Sequence, residues 1–198
     1  MIVVNATVLS NLAWVTWLSI LKELFGEMLI PLPVYEEILK GIDTGYAFLK
    51  SVDELVEKGD WITLGLLKDE HEKRLFKSLL DSVGYGEAAG IAIAKRRALH
   101  FFSDDRVARE AAEQQGVEIS GTLGILKVAV EEGKLSTQEA DEVLREMIRG
   151  GYRSPIQSVK ELLEGQIGGC WDHGERHVDC GRRGFDDGEA RSKIQDKR

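Results

Sequence analysis

The sequence predicts an α/β fold with a mainly parallel sheet flanked by helices. Five short apolar runs recur along the chain, long enough for strands buried on both faces: Ile2-Val3-Val4, Met28-Leu29-Ile30, Trp61-Ile62-Thr63-Leu64, Leu99-His100-Phe101-Phe102 and Val117-Glu118-Ile119. Between them lie segments of helical period, the alternation that builds parallel sheets from strand–helix units. The composition, 43% apolar and 30% charged, suits a soluble domain with a real core.

Taken in order, the first strand is followed by apolar residues at three- and four-residue steps, Leu9, Leu12, Trp17, Ile20, Leu21 and Leu24, which predict one long helix. After the second strand, Pro33 opens a helix over PVYEEILKG, with Gly41 as its stop. Further helices are predicted over 46–58, 69–80, 87–98 and 105–115, the last ended by Gly116. Three more close the domain, over 123–132, 137–149 and 155–163. Trp14, Trp17, Phe25, Phe48 and Phe76 sit at helical spacings and are expected in the core.

At 198 residues the chain suits one domain plus an appendage. From Gly165 the composition loses Leu and fills with Gly and charge, so the folded domain is expected over 1–164 and a flexible extension over 165–198. The 26 basic and 34 acidic residues give a net charge of −8, which argues against broad electrostatic attraction to phosphate backbones or anionic membranes. The longest apolar stretch, from Val8 to Ile30, is interrupted by Asn11, Lys22 and Glu23 and is no membrane span. No Lys or Arg precedes Lys22, so no secretory leader is expected and the chain is expected in the cytoplasm. The Asn5-Ala6-Thr7 sequon is then a chance match.

Ligands of open parallel sheets bind at the carboxyl ends of the strands. The residues there are acidic or polar: Asn5 after the first strand, Glu36 and Glu37 after the second, Asp104 and Asp105 after the fourth, and Ser120-Gly121-Thr122 after the fifth. Glu87 opens the Gly-flanked helix GYGEAAGIAIA. Such a set could cage Mg²⁺ or Mn²⁺, which take oxygen ligands. The bland alternative is that acids favour helix N-termini because the macrodipole stabilises them, with Asp104 a simple N-cap.

Four stretches, IVVNATVLSNLA, LFGEMLIPLPVYEEIL, GYGEAAGIAIA and FFSDDRVAREAAEQQGVEISGTLGILKVAVEEG, resemble the PIN-domain family in its order, over about residues 1–152. The likeness is greatest to the archaeal and bacterial branch akin to VapC-type toxins. The resemblance implies a PIN-like three-layer sandwich and a metal-dependent ribonuclease using Mg²⁺ or Mn²⁺. By motif, it implies that Glu37, Glu87 and Asp104 are catalytic. Asn5, Glu37, Glu87, Asp104 and Asp105 then form the metal set. Thr7 and Thr122 match hydroxyls near the metal, and Arg106 and Arg109 could reach an RNA phosphate. An antitoxin protein and a homodimer are further implications.

Relatives carry Asp where this chain has Asn5. An amide oxygen can coordinate, but it brings no negative charge and should weaken the binding of a hard dication. Three readings stay open for Asn5: a natural feature of a weakened or non-catalytic protein, a substitution that silences a toxic nuclease, or a polar strand-end residue that satisfies backbone groups. The alternative function is a catalytically inactive PIN-fold nucleic-acid-binding or regulatory protein.

Other motifs carry less. Gly84, Gly86 and Gly90 lack the spacing of a phosphate loop and read as a loop before a helix. Cys170, His173, His177 and Cys180 have zinc-ligand chemistry but too short a loop and no core around them. Lys95-Arg96-Arg97 ends a helix, where cations are favoured, and reads as a solvated face.

Overall fold

The computed structural model describes residues 1–164. The predicted tail, with its Cys170/His173/His177/Cys180 cluster, lies outside the described residues. Five strands, β1 (Ile2–Val4), β2 (Met28–Pro31), β3 (Ile62–Gly65), β4 (His100–Phe102) and β5 (Ile119–Ser120), form one sheet in the order β3-β2-β1-β4-β5. Every pairing is parallel.

Alternation along the strands sorts the core into two layers. Ile2, Val4, Met28, Ile30, Ile62 and Phe102 pack against one set of helices. These are α1 (Ala6–Trp14), α2 (Ser19–Phe25), α3 (Leu32–Asp43), α4 (Lys50–Lys58), α8 (Thr122–Glu131) and α9 (Thr137–Arg149). Val3, Leu29 and Phe101 face the other way, onto α5 (Glu70–Leu79), α6 (Tyr85–Arg97) and α7 (Arg106–Gln114). The result is the three-layer sandwich expected.

Helix α6 fixes the position of the acidic edge. It is rich in Ala and Gly and lies directly on the sheet, because a Cβ on Gly90 would sit 2.5 Å from Phe101 Cε2. Only glycine permits that approach. The N-terminus of α6 is thereby held over the carboxyl ends of the strands.

Several local expectations are corrected. The predicted long first helix is two, because Thr16 takes a left-handed conformation (φ 59°) and Trp17 N–H closes the end of α1 onto Leu12 C=O at 2.8 Å. Both halves bury their apolar residues in the same layer, so the periodicity runs through the break unmarked. Helix α3 passes through Gly41 to Asp43, with Thr44 N–H bonded to Lys40 C=O. The helix expected over 46–58 begins as a 3-10 turn over Ala47–Leu49 before α4, which Gly59 ends with φ 65°. The fifth strand begins two residues later and ends one residue later than expected, at Ile119–Ser120.

The helix predicted over 155–163 shrinks to α10 (Lys160–Leu163). The carboxylate of Asp141 accepts the Val159 N–H at 2.6 Å and the Ser158 hydroxyl at 2.9 Å, holding the preceding chain in a non-helical path. Trp14, expected inside, is 42% exposed and packs edge-on against Phe48 at 5.2 Å.

Candidate functional site

The strand order reverses its direction of winding at β1, so β1 and β4 open the crevice where parallel sheets place ligands. Asn5 leaves the end of β1 and is wholly buried. Its backbone N–H continues the sheet to Phe102 C=O at 2.9 Å. Its side-chain Oδ1 accepts the Ala6 N–H at 2.8 Å, capping α1. The other end of the amide points inward: Nδ2 donates to Glu87 Oε1 and to Ser103 Oγ, both at 3.1 Å.

Glu87 stands in the first turn of α6, where the helix dipole favours a carboxylate. Glu37 reaches the same place from α3. The two helices meet closely at Gly86, where a Cβ would lie 2.9 Å from Glu37 Oε1 and 3.0 Å from Val34 Cγ2. Partial burial, and then the charge of Glu87, push the Glu37 carboxyl above its usual range. Lys40 and the Gly86 N–H oppose the rise without cancelling it.

Asp104 lies beyond Ser103. Its Oδ1 accepts the Thr122 N–H at 2.8 Å, and its Oδ2 accepts the Thr122 hydroxyl at 2.5 Å and the Asn11 Nδ2 at 3.0 Å. Its own N–H donates to Thr7 Oγ1 at 3.4 Å. Burial pushes the Asp104 carboxyl upward, while these donors and the nearby Arg109 charge pull against it.

The cap of α7 belongs to Asp105, not Asp104: Asp105 Oδ1 accepts the Ala108 N–H at 2.8 Å. The Arg109 Nη1 donates to Ser103 C=O at 3.4 Å, beside the acidic edge. Arg106 is far more open, with a side chain 87% exposed and its Nε 3.8 Å from Glu110. Thr7 is exposed and Thr122 buried. Glu36 is exposed on α3.

The folding chain thus gathers Asn5, Glu37 and Glu87 at one spot and Asp104, Thr122 and Asn11 at the next, with Ser103 between them. Neither Asn11 nor Ser103 was assigned to the site beforehand. Asn11 left a trace, as an amide interrupting an apolar helical run; Ser103 stands in the sequence at a strand end, without the His and Asp partners of a nucleophile.

Among the described residues, no three His, Cys, Asp or Glu side chains are arranged as they stand to hold a metal ion. The chemistry of the Glu37–Glu87 pair nonetheless fits a hard dication. Both donors are carboxylate oxygens, and their mutual repulsion is what a bound cation would relieve. Asp104 is committed to three donors, and Asn5 turns a donor rather than an acceptor inward.

A parallel α/β sandwich with carboxylates converging on the switch point of its sheet defines an α/β domain with an acidic site at its carboxyl edge. A family model described as DUF3368: PIN domain matches residues 1–166, and the chain belongs to the PIN-domain family. No curated protein and no solved structure matches it. No helix among the described residues is long and apolar enough to cross a membrane.

Proposed function

We propose that this PIN-domain chain is a Mg²⁺- or Mn²⁺-dependent endoribonuclease, the toxin half of a toxin–antitoxin pair of the VapC type. The observation that carries the reading is the meeting of Glu37 and Glu87 at the carboxyl edge of the sheet, where partial burial and then the Glu87 charge raise the Glu37 carboxyl. Glu37 and Glu87 would hold the cation, with Asp104 the third acid of the edge and Asp105 on its rim. A divalent ion held there supplies an activated water and steadies charge on a phosphodiester.

The remaining work falls to the chain's own groups. Arg109 and Arg106 offer guanidinium donors to a phosphate on the side of α7, and Arg106 is the freer to move. Thr122 and Asn11 orient Asp104, and Thr7 borders it. An antitoxin would cover the acidic edge with a basic residue, and a homodimer is part of the same reading.

A second reading, a non-catalytic PIN-fold nucleic-acid-binding or regulatory protein, is favoured by the three donors already on Asp104 and the inward donor of Asn5. Cleavage of a fluorogenic RNA with Mn²⁺, Mg²⁺ or EDTA decides between them. The nuclease reading expects cleavage only with metal, lowered by about two orders of magnitude in Glu87→Gln. No cleavage with either metal, alongside retained RNA binding, overturns it in favour of the second.

A further inference from the structure

The Asn5 side chain is not free to choose which end faces the acids. Ala6 N–H is a donor, so the atom 2.8 Å from it must be the amide oxygen. The nitrogen then necessarily faces Glu87 Oε1 and Ser103 Oγ. Each of its two N–H groups finds an acceptor, and the whole side chain is buried. Glu87 is half-buried in the first turn of α6, and its Oε1 faces the wholly buried amide that follows the first strand, an uncharged partner supplied by the chain itself.

We infer that Asn5 is a positioning residue that takes the place of a counter-ion beside Glu87: its amide N–H₂ holds that carboxylate, so the acidic edge folds without a divalent cation and binds one weakly. The inference rests on the carboxyl edge being the functional site, but not on any cleavage of RNA.

The two ends of the amide make this separable from a capping role. An Asp at position 5 keeps an oxygen for the Ala6 N–H, and a carboxylate is favoured at a helix N-terminus. If capping were the whole role, Asn5→Asp would leave stability unchanged or raise it. If the inward N–H₂ is what matters, the same change puts a second carboxylate oxygen where a donor stood, against Glu87. The protein then needs a cation or a proton that the wild type does not.

The experiment follows thermal unfolding of the full chain in EDTA and across a Mn²⁺ titration, without RNA. It compares wild type, Asn5→Asp and the exchanged pair Asn5→Asp/Glu87→Gln. In EDTA, Asn5→Asp is expected to melt several degrees below wild type, and the exchanged pair to recover most of that loss, since one amide and one carboxylate face each other again. Mn²⁺ should raise the melting temperature of Asn5→Asp far more than that of wild type, with an affinity tighter by roughly tenfold or more.

Three results would overturn the inference. Asn5→Asp could be as stable as wild type in EDTA. The exchanged pair could remain as unstable as the single variant. Wild type could be stabilised by Mn²⁺ as strongly as Asn5→Asp. Failure of the ribonuclease reading would show instead as absent RNA cleavage, with this thermal pattern intact.

Discussion

Asp104 and Thr122, eighteen residues apart, are joined twice: Oδ1 of the acid takes the threonine N–H at 2.8 Å and Oδ2 takes its hydroxyl at 2.5 Å. The pair ties the end of β4 to the first turn of α8, so the acid is held by backbone as well as side chain. Thr122→Val keeps the shape and removes only the hydroxyl. It should cost about 1–3 kcal/mol at neutral pH, because a donor to a charged, desolvated group is lost. Urea unfolding checks this, and the loss should shrink as acid protonates Asp104.

The seat of α6 on the sheet predicts a packing effect far from the acids. Gly90→Ala places a methyl against the buried Phe101 ring, whose nearest atom would be 2.5 Å away. The ring cannot move without disturbing the centre of its layer, so the substitution should destabilise by about 1–3 kcal/mol. Chemical denaturation measures it. An unchanged midpoint would mean that α6 can lift from the sheet at little cost.

On the far side of α6, Glu72 is almost fully buried and pairs with Arg97 at 2.7 Å, while the Lys68 N–H also donates to it. Burial opposes ionisation of Glu72, but Arg97 and the backbone donors outweigh it and hold the carboxyl below its ordinary value of 4.5. A depressed folded pKa gives stability that is present above the unfolded pKa and lost as pH falls through the folded one. Wild type should therefore lose stability to acid below about pH 4.5, and Glu72→Gln should lose less over the same range. At neutral pH the variant should be less stable by about 2 kcal/mol, since Arg97 keeps some solvent in which to place its charge.

At the opposite end of the pH scale, Tyr35 on α3 donates to Asp53 Oδ1 on α4 at 2.5 Å. That bond, then burial and the nearby Asp53 and Glu57 charges, lift the phenol from 10.0 to about 12. A raised folded pKa gives stability that is present below the unfolded value. It is lost as pH rises from 10 through about 12. Urea midpoints between about pH 9 and pH 11.5 should fall in wild type and stay flatter in Tyr35→Phe. Parallel curves would remove the Tyr35–Asp53 bond from the stability of α3 and α4.

Much of the fold was readable because its signals are local. Short apolar runs between amphipathic segments mark all five strands, and the helices expected over 69–80 and 137–149 stand within one residue of those bounds as α5 and α9. The departures have local causes that periodicity does not register. A left-handed Thr16 splits the first helix without moving its apolar face, and the Asp141 carboxylate draws residues 158–159 out of a helix. Of the two adjacent acids, the sequence offered Asp104 as a candidate cap of the following helix. Only the backbone path shows that Asp105 caps α7 while Asp104 turns to Thr122.

By itself the sequence determined the class of fold and named most of the acidic and polar residues that meet at the carboxyl edge of its sheet. These follow from patterns within a few residues and from the rule that strand ends in parallel sheets carry the ligands. Tertiary structure decided which groups meet and with which atom. Asn5 reaches Glu87 across 82 residues and Ser103 across 98, contacts that exist only once α6 lies on the sheet beside β1. The direction of the Asn5 amide was settled by one backbone N–H. An asparagine reads the same in sequence with either end inward, and the two ends have opposite chemistry toward a carboxylate or a cation.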